Sequence, residues 1–218
     1  MLNFIAAIYN EENEIDGLLN HVYPYVDGIY IVDDGSTDST PEYLRSIEDN
    51  PKIHWKQIEH VGLPETVKNL ALQMVPDGSW VLMLDADERF ADGVLDRLQL
   101  WLDDSTLPPF MRDQQESWKV SHVYFQQLEL LEGQHVRTFQ KSKLFKKEAI
   151  RFSTGIHEDD QFDGDGVYKS NWVVYHRKSW DKQKQREAEY LETYDKLFEE
   201  GKIDEGRRQW LRGLHYFK

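Results

Sequence analysis

The chain contains no cysteine. Disulfides, thiolate zinc centres and a cysteine nucleophile are thereby excluded, and a reducing compartment is suited though not proved. No apolar run approaches the ~20 residues that a membrane-spanning helix needs. The opening, "MLNFIAAIYNEE", has no basic segment and too short an apolar stretch for a leader, so it reads as a strand starting almost at residue 1. Positive charge is scarce: Lys+Arg 26 stand against Asp+Glu 40, a net charge of -14 over 218 residues. A nonspecific nucleic-acid binder would be basic, so nucleic acid is not an expected partner. No G-x-x-x-x-G-K-[ST] segment occurs, which excludes a P-loop nucleotidase. The expectation is a soluble, cytoplasmic protein whose acidity also suits a site that recruits a divalent cation.

What is present is a folded composition, 39% hydrophobic and 13% aromatic. The length suits one domain, or one domain with an appendage. The first hundred residues alternate strand and helix. "LNFIAAIY" (2–9), "GIYIVDDG" (28–35), "KIHWKQI" (52–58) and "SWVLML" (79–84) are short apolar runs of strand type. Between and after them Ile15, Leu18, Leu19 and Val22, then Val67, Leu70, Ala71 and Met74, then Val94, Leu95, Leu98, Trp101 and Leu102 recur at helical spacing. Thr40 and Pro41 suit the start of a helix as cap and first residue. Such βα alternation predicts a mostly parallel sheet with helices on both faces. Two longer strands then flank Glu132-Gly133 as a hairpin, "GVYKSNWVVYH" (166–176) is one more strand, and the tail is helical on either side of Gly201. The predicted class is α/β, Rossmann-like, with an added β-hairpin and a helical C-terminal extension. The expected division is a domain over 1–178, with a nucleotide-binding half (1–105) and an acceptor half (106–178), followed by the extension at 179–218.

In an open parallel sheet, ligands bind at the carboxyl ends of strands where strand order reverses. Two apolar strands here end in acids. "IYIVDDGSTD" gives Asp33, Asp34 and Asp38; "WVLMLDADE" gives Asp85, Asp87 and Glu88. Either cluster alone could be turn chemistry, and Asp38 reads as that. Two on strand ends of one βα domain suggest a crevice where oxygen ligands meet a hard cation such as Mg²⁺ or Mn²⁺. Persisting strand alternation would aim Asp85 and Asp87 to the same side, with Ala86 between them. Glu88 and Arg89 read as an ion pair at the rim.

"IAAIYNEENEI", "IYIVDDGSTDST" and "WVLMLDADERF", with "VGLPETVKNLAL" between the last two, resemble the family 2 glycosyltransferases of GT-A fold. The similarity is closest to the lipopolysaccharide-core β-glucosyltransferase-like branch and covers residues 2–90, thinning beyond residue 110. It implies a metal-dependent, inverting transferase that moves a hexose from a nucleotide-sugar to an acceptor hydroxyl, with UDP-glucose favoured as donor. It implies that Ala7 and Tyr9 cradle the base, that Glu11 belongs to the NE pair, and that Asp34 accepts a hydrogen bond from the uracil imide. A core aromatic is the alternative for Tyr9, helix N-terminal charge for Glu11. Asp33 reads as structural. Lys68 falls where many members carry a diphosphate-facing Arg, although a solvated helix lysine would look the same. Asp85 matches the acid that holds the ribose or supports the metal, and Asp87 matches the direct ligand of Mn²⁺ or Mg²⁺.

The acceptor half must supply a base. In "STGIHEDDQF" (153–162), the resemblance puts it at Glu158, with Asp159 as the alternative and an acidic surface loop as the competing reading. His176 matches a second protein ligand to the metal, or is a structural histidine. Lys141, Lys143, Lys146 and Lys147 read as a solvated strand edge, or as a face for diphosphate or an anionic acceptor. The acceptor itself, a glycan, lipid-linked sugar, protein or small molecule, is left open, as is peripheral membrane contact through the tail. Other readings are a nucleotidyltransferase, a catalytically silent GT-A-like binding module, and a receiver-like signalling module. The first would want a Gly-rich loop where this chain has "AAIYNEEN". A receiver would carry its acidic pair after the first strand, which here ends in Tyr-Asn-Glu.

Overall fold

The first apolar run forms β1 (Leu2–Ile8), the strand around which the N-terminal half is laid out. In this computed structural model, which describes residues 1–103, 120–153, 161–163 and 166–213, β1 lies between β2 (Gly28–Asp33) and β4 (Trp80–Met83). β3 (Ile53–Gln57) lies outside β2, and all three pairings are parallel. The order β3-β2-β1-β4 therefore reverses direction at β1, and a crevice opens there at the carboxyl ends.

Period-two alternation assigns β1 to both layers. Phe4, Ala6 and Ile8 pack with α1 (Ile15–Val22), α2 (Thr40–Ser46) and α4 (Val94–Leu102), while Ile5 packs with α3 (Pro64–Met74). Every buried residue of α1, namely Ile15, Leu18, Leu19 and Val22, is one that helical spacing predicts. The helix start at Thr40 differs slightly from expectation. Ser39 holds the cap position and Pro41 the first turn, which frees the fully buried Thr40 hydroxyl to accept the Glu11 amide at 2.9 Å.

Beyond β4 the sheet turns antiparallel. β6 (Val120–Leu131) and β7 (Gln134–Lys146) form the predicted hairpin. Glu132 (φ 49) and Gly133 (φ 76) both take the positive φ that a two-residue type I′ turn requires. β7 runs antiparallel to β4, and β10 (Gly166–Lys178) runs parallel to β6. A strand the sequence does not announce, β5 (Glu88–Phe90), pairs antiparallel with the end of β10 and completes the eight-stranded order β3-β2-β1-β4-β7-β6-β10-β5. The short pair β8 (Ile150–Arg151) and β9 (Gln161–Phe162) stands apart from it. The tail folds as α5 (Trp180–Glu199) and α6 (Glu205–Gly213), parted at Gly201. No helix among the described residues is long and apolar enough to cross a membrane.

Position within the sheet overturns one expectation. β7 is a central strand, not an edge, so Lys143 is fully buried rather than solvated. Its ammonium pairs with Glu88, itself fully buried. Lys146 lies over the Trp80 ring, and Lys147 bonds Asp77 at 2.5 Å and the Val75 carbonyl at 2.6 Å. Lys141 alone of the four faces the crevice.

Candidate active site

The turns that follow β1 and β2 are stitched to each other. Asn10, in left-handed conformation (φ 53), donates its amide to Ser36 Oγ at 2.8 Å, and its side-chain oxygen accepts the Thr37 amide at 2.8 Å. Asp38 accepts the amides of Glu12 at 3.1 Å and Thr40 at 2.9 Å, and Glu12 accepts that of Ser39 at 3.0 Å. Asp33 accepts the hydroxyl and amide of Ser36, at 2.5 and 3.1 Å. The "NEE" and "DDGSTDST" motifs thus lock each other, and Asp33 and Asp38 are structural as expected. Their effect is to fix Tyr9, Glu11 and Asp34 at the mouth of the sheet.

Those residues line a cavity of about 400 Å³ with Ala7, Lys68, Asp85, Lys141, His176 and the inner face of α5. Asp34 is buried, and its carboxylate accepts the amides of Val61 at 2.7 Å and Gly62 at 3.0 Å. His60 Nδ1 stands 2.9 Å from the Asp34 carbonyl and 3.1 Å from Oδ2, and the His60 ring stacks on Tyr9 with centroids 4.3 Å apart. This close packing needs Gly35 (φ +73), where a Cβ would meet the His60 nitrogen at 2.9 Å. A carboxylate has about four lone-pair sites, so Asp34 can accept a further donor from a ligand. One face of Tyr9 is covered by the His60 ring.

Lys68 is buried, not solvated, and its ammonium lies 3.4 Å from Asp85. Burial pushes the Asp85 carboxyl up, but Lys68 first, then Lys143 and Lys141, outweigh it and hold the group well below the usual range. Lys68 and Asp85 are therefore one charged unit in the cavity wall.

Neither Asp85 nor Asp87 lies on a strand. β4 ends at Met83, and a turn closed by the Glu88 amide on the Asp85 carbonyl (3.0 Å) separates the two acids. Asp85 faces the cavity, whereas Asp87 lies 3% exposed behind it, beside Arg186 and Lys182 of α5. Nor is Glu88 at the rim. It accepts the Asp85 amide at 2.9 Å and the buried Lys143 ammonium, bracing the turn from below. Arg89 pairs instead with Glu14 at 3.2 Å and bonds the carbonyls of Ala86 and Glu88 at 2.6 and 2.8 Å.

His176, at the end of β10, stands with Nε2 3.2 Å from Asp87 Oδ1, and its Nδ1 contacts the Gln127 amide at 2.9 Å. Neither Nε2 nor Oδ1 makes a hydrogen bond, and the Glu88 Oε1 beneath is likewise unbonded. Nε2 and Oδ1 face each other as a pair and neither makes a further hydrogen bond, so a carboxylate oxygen and an imidazole nitrogen converge on one buried point. That donor set fits a divalent cation. Among the described residues no group of three or more His, Cys, Asp or Glu side chains is arranged to hold one.

Burial raises the Asp87 carboxyl, but the His176 contact, then Arg186 and Lys182, bring it down to about 2. Because this lies below the unfolded value of about 3.9, the ionised group adds stability that is complete above about pH 4 and lost as pH falls through the folded value. Wild type should lose about 2 kcal/mol more than Asp87→Asn between about pH 4 and pH 2 in urea melts. Parallel acid limbs in the two proteins would contradict this.

Sequence reasoning missed two site residues. Lys182 bonds Glu11 at 2.5 Å, and Arg186 lies 3.4 Å from Glu11 and 3.9 Å from Asp87. Their i, i+4 spacing on a polar helix face was the available signal. Glu11 is buried between them. Burial raises its carboxyl, and Lys182 with Arg186 only partly offsets that. Glu158 and Asp159 lie outside the described residues.

The model of the family described as "Glycosyl transferase family 2" matches residues 4–159, which takes in the ends of β1, β2 and β4 but not that of β10. The chain belongs to glycosyl transferase family 2. It is 33% identical over 106 residues to the minor teichoic acid biosynthesis protein GgaA of Bacillus subtilis, a match covering 44% of this chain and 23% of that protein. The chain thus spans under a quarter of that relative's length. Among solved structures it superposes on S. aureus TarS 1-349 with a TM-score of 0.58 at 14% identity, covering 97% of this chain and 69% of that one. TarS 1-349 in complex with UDP-GlcNAc gives a TM-score of 0.57 at 14% identity, covering 97% and 70%. At that identity the likeness shows the fold, the GT-A arrangement that the motifs imply.

Proposed function

We propose that this glycosyltransferase moves a hexose from a UDP-sugar to an acceptor hydroxyl with inversion, assisted by Mn²⁺ or Mg²⁺. The observation that carries the reading is the convergence of Tyr9, Asp34, Lys68, Asp85 and His176 on one cavity, with Asp87 behind His176. Ala7 and Tyr9 receive the uracil, and Asp34 accepts its imide N–H. Glu11 fixes the α5 cations against this wall. Lys68 places one positive charge at the diphosphate while Asp85 orients it and reaches the ribose. Asp87 and His176 hold the divalent cation, which neutralises charge building on the leaving diphosphate. Glu158, or Asp159 in its place, takes the acceptor proton as the oxygen attacks the anomeric carbon.

Resemblance to the lipopolysaccharide-core branch favours UDP-glucose, whereas TarS was solved with UDP-GlcNAc. Of the two, we favour UDP-glucose. The acceptor is a glycan, a lipid-linked sugar or a protein, reached from the cytoplasm. A thermal-shift panel of nucleotide-sugars with and without Mn²⁺ tests the donor site. A UDP-hexose that raises Tm only with the metal is expected, by about 2–3 kcal/mol of linkage at a hundredfold excess over Kd. No response to any nucleotide-sugar would overturn the proposal. For the base, Glu158→Gln should abolish transfer and leave that Tm response intact; an active variant moves the role to Asp159.

A further inference from the structure

Helix α5 walls one side of the cavity, and it lies beyond residue 159, where the family match ends. Its inward residues include Lys182, Arg186, Glu189, Tyr190 and Thr193, a helical stripe of mixed polarity. The two cations on it are held by acids of the nucleotide-binding half. Lys182 Nζ is 2.5 Å from Glu11 Oε2. Arg186 reaches two carboxylates at once, Nη2 to Glu11 Oε1 at 3.4 Å and Nη1 to Asp87 Oδ2 at 3.9 Å.

Those Arg186 distances are long. A guanidinium seated on its own partner makes paired contacts at about 2.7–2.9 Å. Here it is shared, close to both acids and forked onto neither. The acid end is loosely held as well, because buried Asp87 Oδ1 has only His176 Nε2, 3.2 Å away and outside hydrogen-bond geometry, as its neighbour. A carboxylate short of a ligand thus faces an arginine short of a fork. A divalent cation would complete the first, and a diphosphate would complete the second.

We propose that Arg186, with Lys182 beside it, is a ligand of the donor diphosphate, and that without donor its guanidinium stands beside Asp87 in place of the divalent cation. As ion and donor enter, Arg186 leaves Asp87 and forks onto phosphate oxygens. The inference rests on the donor-site reading above. Charge supports the exchange. Glu11 and Asp87 balance Lys182 and Arg186 before it, and the added divalent cation and diphosphate diester balance each other after it, so the buried cluster stays near neutral throughout. Arginine is the residue type for this task, since its planar fork matches phosphate geometry and cannot lose its charge.

The exchange makes Arg186 a competitor of the metal and a partner of the nucleotide, so removing it should move the two affinities in opposite directions. Calorimetric titration of the full chain with Mn²⁺ alone, then with UDP at saturating Mn²⁺, reads both. Arg186→Gln is expected to bind Mn²⁺ several-fold more tightly and UDP about tenfold or more weakly. Uridine, which lacks phosphate, should bind both proteins alike. Arg186→Lys keeps the charge without the fork; it should leave Mn²⁺ affinity near that of wild type and recover part of the UDP loss, and it carries the test if the Gln variant folds poorly. Mn²⁺ and UDP affinities that fall together, or a UDP affinity that does not change, would overturn the proposal and leave Arg186 as a brace for α5. Wild type that binds no UDP would overturn the donor reading and this inference with it, a result distinct from wild-type binding that the variants leave unaltered.

Discussion

Lys143→Met should cost the protein about 3–5 kcal/mol, read as a lowered urea midpoint and a Tm drop of roughly 10 °C. Lys143 and Glu88 are both fully buried, and each is the other's charge partner. A methionine fills the volume of the lysine stem, so packing is largely kept. What is lost is the compensating charge, and Glu88 is left ionised in the interior or must take up a proton to stay there. Burial already pulls the Lys143 ammonium below its ordinary value, with Glu88 acting against that pull. The double variant Glu88→Gln/Lys143→Met should recover more than half of the loss, because Gln keeps an acceptor for the Asp85 amide without needing a cation. A single variant within about 1 kcal/mol of wild type would mean that the pair is not a desolvated one.

On the proposed mechanism, Asp87→Ala should lower transfer by about a thousandfold or more and abolish the metal-dependent Tm rise caused by a UDP-hexose. Asp87 is the carboxylate that His176 faces at 3.2 Å, and its removal leaves one protein ligand for a hard cation that prefers oxygen. The variant should remain folded, since Glu11 still holds Lys182 and Arg186. Urea melts at neutral pH run beside the assay separate a lost site from a lost fold. Activity within tenfold of wild type, or transfer that persists in excess chelator, would contradict the role given to Asp87.

Periodicity made most of the fold legible. The buried runs of β1, β2 and β4 and the apolar stripes of α1, α3 and α4 depend on local spacing, which a sequence displays directly. Glu132-Gly133 marked the hairpin because a two-residue turn requires positive φ, which glycine adopts readily. β5 escaped because "ERF" is a three-residue strand that forms only where β10 arrives to pair with it. The site divided along the same line. Asp34, Lys68 and Asp85 converge in the cavity as the motifs implied, and Asp87 stands beside His176. The geometry of "DAD" did not follow, because β4 stops at Met83 and a turn, not a strand, carries the acids. Lys143 was misread since its burial depends on β7 lying between β4 and β6, an arrangement no local pattern encodes. Lys182 and Arg186 were passed over because a polar helix face is solvated by default, and only the packing of α5 over Glu11 turns it inward.

Asp85 is balanced within the chain by Lys68, and Glu88 by Lys143. Asp87 is balanced by His176 and, at longer range, by Arg186, yet its Oδ1 and the His176 Nε2 make no further hydrogen bond. The most direct test is a crystal structure of the full chain grown with UDP and Mn²⁺. The account predicts uracil between Tyr9 and Asp34, an ion bonded to Asp87 and His176, and a diphosphate lying between Lys68 and Arg186. A nucleotide bound elsewhere, or in this cavity with its phosphates turned away from Asp87, would contradict it.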